Sequence, residues 1–136
     1  MLPEHEILVE GETVAGRYQV EVARWMSEKW VPTMPSLYMI ITSQRIILQP
    51  QTRKKYEPAS IPGRYIRSVE SLKTTRQGIT LTLKNDQRIH LFVPTTHSHI
   101  VIEHIRAIAT LPPGRTYHLP LTLNHLQKLI TFVETM

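Results

Sequence analysis

Side chains capable of acid–base or nucleophilic chemistry are few in this chain of 136 residues, and none form a catalytic constellation. The chain has no cysteine, and its single aspartate, Asp86, lies in a predicted surface turn. Ser98 stands between His97 and His99, but consecutive helix residues point about 100° apart, so a Ser–His pair lacks the required geometry. No phosphate-binding glycine loop, dinucleotide motif or GxSxG motif is present. We therefore expect a protein that is not an enzyme.

Histidines cluster near residue 100, and histidine is a common metal ligand. On a helix, His97 and His104 would lie two turns apart, about 10 Å, which is too far for one ion. Glu103 would face away from both of them. We therefore expect these histidines to lie on the surface of a helix, with no metal site and no cofactor.

Basic residues are concentrated in the middle of the chain, whose overall formal net charge is +5. Residues 1–44 contain six glutamates and three basic residues, whereas residues 45–88 contain ten basic and three acidic residues. A positive middle indicates an anionic partner, which could be lipid, nucleic acid or an acidic protein face. The same charges could equally form the solvated exterior of a sheet, because charge alone does not determine a fold.

Two predicted loops bring aromatic and basic residues together. The first, SEKWVPTMPS at residues 27–36, carries a lysine and a tryptophan, and the second, QPQTRKKYE at residues 49–57, carries three consecutive basic residues. If the first three strands run up, down and up, both loops emerge at one end of the domain, and a third loop near residue 75 can join them. The predicted ligand-binding residues are Lys29, Trp30, Arg53, Lys54, Lys55, Lys73 and Arg76.

A tryptophan beside a basic cluster suits an anionic membrane surface, because the indole enters the interface while the cations attract the lipid. Alternatively, Trp30 folds back and covers the end of the barrel, since tryptophan is usually mostly buried.

Two hairpins stand out among the elements that must position these loops. Residues 79–83 (ITLTL) and 88–93 (RIHLFV) alternate with a period of two, and Asn85 and Asp86 between them tolerate a tight turn. Residues 37–50 (LYMIITSQRIILQP) form the second hairpin, in which Thr42 bonds to the turn backbone and Arg45 faces solvent. Residues 18–26, 56–61 and 65–72 are further strands, with a bulge or strand end expected near Ala23.

Helical periodicity follows the strands. A helix capped by Thr95 or Thr96 would bury a stripe that includes Val101, Ile105 and Ile108. A second helix is predicted with Thr122 as its N-cap. The apolar face of this helix consists of Leu126, Leu129, Ile130 and Val133. This face either packs on the sheet of the same domain or forms a two-fold dimer contact.

This order of elements resembles the pleckstrin-homology (PH) superfold, and more closely its GRAM and bacterial PH-like branch. The segment LYMIITSQRIIL resembles the strand pair Tyr-x-Ile-Thr-x-x-Arg-Ile of that branch, and SIPGRYIRSVE resembles its Ile-Pro-x-x-x-Ile-x-x-Val-Glu segment. GITLTLKNDQRIHLFVP is similar to its last hairpin, whereas Gly63-Arg64-Tyr65 departs from the usual polar turn. A small barrel of the OB or Sm type would also explain basic strands, but the capped helix after the final hairpin favours the PH-like interpretation.

The resemblance implies a mainly β fold: a PH-like barrel of about seven antiparallel strands in two sheets, closed by a C-terminal helix and followed by a second short helix. We expect the PH/GRAM-like domain at residues 1–111, and a Pro-Gly linker with the appended helix at residues 112–136.

Members of this superfold bind lipid headgroups, peptides or proteins, and the fold alone does not select among them. The resemblance therefore implies a non-catalytic binding module that engages an anionic membrane surface or another acidic ligand, or else a protein-interaction or self-assembly domain. Nucleic acid is a weaker option because no stacking aromatics can be placed.

No apolar run has the roughly 20 residues of a membrane span, and the acidic start is not a signal peptide. We expect a cytoplasmic location, with peripheral association at the inner membrane face if lipid is the ligand.

Overall fold

In the part of the chain that the structure describes, eight antiparallel strands form one continuous sheet, which a helix closes. The computed structural model describes residues 8–32, 37–50, 58–72, 78–94, 97–112 and 119–127. The elements are β1 (Val14–Met26), β2 (Lys29–Pro32), β3 (Leu37–Thr42), β4 (Arg45–Pro50), β5 (Ala59–Pro62), β6 (Ile66–Ser71), β7 (Gly78–Leu83), β8 (Arg88–Phe92) and helix α1 (Ser98–Ala109). The strand order is β5-β4-β3-β1-β8-β7-β6, and β2 pairs with β1 outside this path.

The long strand β1 joins the two halves of the sheet. Its first part pairs with β3, Glu21 and Val22 pair with β8, and residues from Ala23 onward pair with β2. The mainly β architecture is therefore confirmed, but the two predicted sheets are continuous through β1, and β2 is an additional strand. The prediction of a bulge or strand end near Ala23 is wrong, because β1 continues there and changes its partner from β8 to β2. The register shift of β1 lies between Val14 and Gly16.

The core consists of the residues that the alternating patterns placed inside. Leu81 and Leu91 from the last hairpin are buried, as is the α1 stripe that contains Val101, Ile105 and Ile108. Thr95 and Thr96, the predicted caps, lie outside the described residues. The residue in the N-cap position of α1 is His97, and its side chain makes no capping hydrogen bond.

A short 3₁₀ turn, Gly63–Tyr65, connects β5 to β6 and lies against the C-terminal end of α1. A Cβ atom on Gly63 would lie 2.0 Å from the carbonyl oxygen of Ile108, so only glycine permits this approach of the two backbones. The departure from the usual polar turn therefore accommodates the closing helix.

Arg45 is buried, which contradicts the prediction that it faces solvent. Its Nε and Nη2 atoms donate to the two carboxylate oxygens of Glu12, at 2.8 and 3.0 Å, and Nη1 donates to Ser60 Oγ at 3.1 Å. Thr42 Oγ1 donates to Glu12 Oε2 at 2.6 Å and accepts the N–H groups of Gln44 and Arg45, so its predicted bond to the turn backbone is confirmed. Arginine is tolerated here because every charge finds a partner.

The segment 119–127 packs on the same body, and residues 123–127 within it are helical. Leu126 is fully buried in the core, so it is not available for the predicted dimer contact, and Leu129, Ile130 and Val133 lie outside the described residues. Thr122 Oγ1 accepts the Ser60 N–H at 2.6 Å, and the Thr122 N–H donates to the Ser60 carbonyl at 3.1 Å. The segment thereby satisfies backbone groups at the outer edge of β5.

None of the helices in the described ranges is long and apolar enough to cross a bilayer.

Candidate functional site

Strands β1 and β2 form a hairpin whose turn is left-handed at both central residues. Met26 is the register partner of Lys29, and Ser27 and Glu28 between them have φ values of 50° and 66°. Two consecutive positive φ values are the mark of a type I′ turn, which suits the twist of a hairpin. Lys29 and Trp30 therefore lie on a strand, which corrects their predicted position in a loop.

The hairpin tip, defined here as residues 25–30, carries a cross-strand tryptophan pair. Trp25 and Trp30 are register partners, and their rings lie 5.4 Å apart in an edge-to-face arrangement. Trp30 also lies 4.5 Å from the His90 ring on β8 and is half-buried. Such aromatic contacts stabilise the tip beyond the effect of area burial alone.

Large apolar side chains are exposed at the tip. Trp25 is 58% exposed and Met26 is 47% exposed, and Lys29 beside them is also exposed. Outside the tip, only Ile100 on α1 is a comparably exposed large apolar residue within the described ranges. Because consecutive strand residues point to opposite faces, these two exposed side chains flank the end of the hairpin on its two sides.

Of the seven predicted ligand-binding residues, the structure describes Lys29 and Trp30. The other five are Arg53, Lys54, Lys55, Lys73 and Arg76. They lie outside the described residues, so their role stays a prediction.

Behind the tip, a groove of about 540 Å³ runs over the outer face of β6, β7 and β8. We call it the polar groove. Strand register arranges its floor in two cross-strand rows, Glu70–Thr80–His90 and Ser68–Thr82–Arg88. Trp30 also lines the groove, and Arg67 and Asp86 line it as well.

The groove combines two arginines with two carboxylates. Arg67 Nη1 forms an ion pair with Asp86 Oδ1, and Arg67 Nη2 donates to the Lys84 carbonyl at 3.3 Å. His90 Nδ1 lies 3.0 Å from Thr80 Oγ1. Burial, with the nearby charge of Arg88, lowers the pKa of His90 below its ordinary value. At neutral pH the imidazole is therefore uncharged, and the formal charges of the groove cancel.

The helix histidines do not form a metal cluster. His99 Nε2 lies 3.1 Å from Glu103 Oε1, one helical turn away, and both side chains are largely exposed. No group of three or more candidate ligands that could hold an ion occurs in the part of the chain that the structure describes.

Sequence reasoning missed Trp25 and the groove for different reasons. Trp25 lies on the strand face opposite to Val20 and Val22, and this change of phase is the reason for expecting a bulge or strand end near Ala23, although a tryptophan on that face is itself a signal of exposure. The groove residues are the polar partners of the buried positions in ITLTL and RIHLF, so alternation marks them as outward-facing. No local sequence pattern indicates that the hairpin tip folds beside these residues and forms one side of the groove.

Comparison with known proteins identifies the fold. No family model matches the sequence, and no curated protein matches it. The Vps36 N-terminal PH domain is similar with a TM-score of 0.56 at 18% identity, covering 76% of this chain and 86% of that chain. The C-terminal domain of an unknown protein from Leishmania infantum is similar with a TM-score of 0.54 at 14% identity, covering 74% of this chain and 87% of that chain. These likenesses confirm the PH-like fold, and at such identities they do not extend to function.

Proposed function

We propose that this chain is a non-catalytic binding module that engages an anionic membrane surface peripherally through the hairpin tip. The observation that carries the proposal is the joint exposure of Trp25 and Met26 at the end of a hairpin, beside Lys29. Tryptophan is favoured at membrane interfaces because its ring is apolar and its N–H remains hydrogen-bonded to water or headgroups.

The energetics indicate weak, reversible binding. Burying the exposed part of Trp25 removes about 100–150 Å² of mostly apolar surface from water, which is worth about 3 kcal/mol. The predicted basic cluster of Arg53, Lys54 and Lys55 would add about 1 kcal/mol each near an anionic surface. The total of about 6 kcal/mol is similar to that of a single acyl chain, which gives only marginal membrane binding. Avidity from several copies would strengthen it.

We also propose that the chain belongs to the GRAM and bacterial PH-like branch. Two of the motif residues that carry this resemblance, Thr42 and Arg45, bind the buried carboxylate of Glu12. In this proposal the protein resides in the cytoplasm, and residues 112–136 form an appendage to a PH/GRAM-like domain at residues 1–111.

Vesicle co-sedimentation with a tip variant tests the function. Trp25→Ser with Met26→Ser should reduce binding to anionic vesicles by about tenfold or more, because the apolar contribution is lost. Ile100→Ser is the matched control, since it removes an exposed apolar side chain from α1 and should leave binding unchanged. Equal binding by the tip variant and the unaltered protein would contradict the proposal.

The basic cluster is tested separately. Reversing Arg53, Lys54 and Lys55 to glutamate should abolish the preference for anionic over neutral vesicles, whereas Arg53→Lys with Lys54→Arg and Lys55→Arg should retain it. Unchanged preference in the charge-reversed protein would rule out these residues as the electrostatic site.

A protein partner is the alternative, and the same exposed tryptophan favours it, because tryptophan is enriched in the binding hot spots of protein interfaces. If the unaltered protein binds neither neutral nor anionic vesicles at low salt, the tip is instead a protein-interaction surface.

A further inference from the structure

The polar groove separates its charges along the strands. The row that adjoins Trp30 contains the carboxylate of Glu70, and the next row contains the guanidinium of Arg88. Adjacent rows lie about 6.6 Å apart along a strand, and Glu70 on β6 and Arg88 on β8 are also two strands apart, about 9.6 Å across the sheet. Glu70 and Arg88 both line the groove, and neither forms an ion pair with another of the described residues.

We propose that the polar groove binds a small zwitterion in which a primary ammonium and a phosphodiester are joined by a short linker, as in glycerophosphoethanolamine. The ammonium lies over the Glu70–Thr80–His90 row, which Trp30 borders at its His90 end, and the phosphate lies over the Ser68–Thr82–Arg88 row. This site is separate from the apolar insertion of the hairpin tip.

The ammonium end has the chemistry for a cation that carries hydrogen-bond donors. The Glu70 carboxylate and the Thr80 hydroxyl are acceptors, and the Trp30 indole can attract a cation through its ring. A trimethylammonium group would leave these acceptors unpaired, and it is usually recognised by several aromatic rings rather than one. The row therefore favours a primary ammonium over choline.

The phosphate end has the chemistry for an oxyanion. Arg88 can donate two parallel hydrogen bonds to a phosphate, as guanidinium groups do. Arg67 lies at the same end and is held in place by Asp86 and the Lys84 carbonyl, so it adds a second, oriented cation. The Thr82 hydroxyl, which lies between Ser68 and Arg88 in its row, supplies a further donor.

The balance of charge argues against a purely anionic ligand. Two arginines and two carboxylates line the groove, and the lowered pKa of His90 keeps its imidazole neutral at pH 7. A ligand with net negative charge would gain from the arginines but be repelled by Glu70, whereas a zwitterion satisfies both ends.

An NMR titration of the full chain tests the site, with glycerophosphoethanolamine as the probe. We expect saturable shifts of groove amides with a millimolar dissociation constant. Inorganic phosphate or ethanolamine alone should bind at least about tenfold more weakly, because each makes only one of the two charge-assisted contacts. Glycerophosphocholine should also bind more weakly, since its ammonium has no N–H groups.

Two groove variants and two controls locate the binding. Glu70→Gln and Arg88→Gln should each weaken binding by about tenfold, as expected for loss of one charge-assisted contact. Glu103→Gln on α1 and Lys84→Gln in the β7–β8 turn remove exposed charges outside the groove lining and should have no effect. Absence of groove shifts, equal binding of phosphate alone, or unchanged affinity in both groove variants would overturn the proposal.

Neutral vesicles containing phosphatidylethanolamine identify the source of the zwitterion. Recruitment to these vesicles that Arg88→Gln abolishes would assign a lipid headgroup, whereas binding of the soluble probe without recruitment would assign a free compound. Failure of this site is distinguishable from failure of the membrane proposal. Trp25→Ser should leave probe binding intact, and Glu70→Gln should leave binding to anionic vesicles intact.

Discussion

Thr42 and Arg45 interrupt an otherwise apolar hairpin because both bind the carboxylate of Glu12. Arg45 reaches it with two nitrogens, and the Thr42 hydroxyl and the Val9 N–H complete its hydrogen bonds. Arg45 also reaches Ser60, which in turn bonds to Thr122. One buried pair therefore joins the N-terminal lead-in, the β3–β4 turn, β5 and the C-terminal segment.

The ionisation of Glu12 makes this network sensitive to pH. Burial alone would raise the pKa of the Glu12 carboxyl, but hydrogen bonds from Arg45, Thr42 and Val9 and the charge of Arg45 outweigh it, so the pKa is lowered. A carboxyl whose folded pKa is depressed contributes stability above its unfolded pKa, about 4.3 for glutamate, and this stability is lost as the pH falls through the folded pKa.

We predict that Glu12→Gln lowers the free energy of unfolding by about 3 kcal/mol at pH 7, because the Arg45 charge loses its partner. The difference from the unaltered protein should shrink as the pH falls below about 4.3, where the carboxyl of the unfolded chain becomes protonated, and it should disappear once the pH is below the lowered folded pKa. Urea unfolding at a series of pH values measures both curves.

Glu103→Gln, at an exposed helix position, should show no such difference at any pH. If the difference in unfolding free energy between the Glu12→Gln and unaltered proteins stays constant down to acidic pH, Glu12 is not the ionised partner of Arg45.

The burial of Arg45 could not be predicted from its own hairpin. Its neighbours give a strand that begins with a charged residue, which is usually an exposed position. The partner that permits burial lies 33 residues earlier in the chain. Local pattern indicated the strands and the turn, and only the tertiary pairing determined which way the guanidinium points.

Among the elements, the β1–β2 hairpin differs most from the sequence-based expectation. Its turn uses Ser27 and Glu28 in left-handed conformations, where glycine, asparagine and aspartate are the usual residues. The sequence therefore contains no local turn signal, and β2 was interpreted as a loop. By contrast, the β7–β8 hairpin was predicted because Asn85 and Asp86 carry that signal, and Asp86 does have a positive φ of 70°.

The turn offers a stabilising substitution at the level of this element. Ser27→Asn with Glu28→Gly should raise the free energy of unfolding by about 1 kcal/mol, because both new residues tolerate positive φ. Thermal unfolding of the double variant measures the change.

The control is Ser43→Asn with Gln44→Gly, since neither position has a positive φ. That control should not be stabilised. Equal or opposite shifts for the two pairs of substitutions would contradict the type I′ assignment.

At the scale of the whole molecule, the sheet and its closing helix leave the hairpin tip and the polar groove outside the core. The PH-like architecture could be predicted from alternation, the helical stripe and the order of the motifs, because those patterns report burial within each element. The tip and the polar groove depend on where separate elements meet, namely β2 beside β8, which no local pattern encodes. The two proposed binding sites therefore depend on the assembled surface rather than on any one motif.

The emission of Trp25 on vesicles tests the central claim most directly. Trp30→Phe leaves Trp25 as the single tryptophan, because the chain contains two. On anionic vesicles at low salt its emission should shift to the blue and become accessible to a quencher in the acyl region, and the shift should disappear at high salt or on neutral vesicles. An emission maximum that remains that of a water-exposed indole while the protein co-sediments with the vesicles would contradict engagement through the hairpin tip.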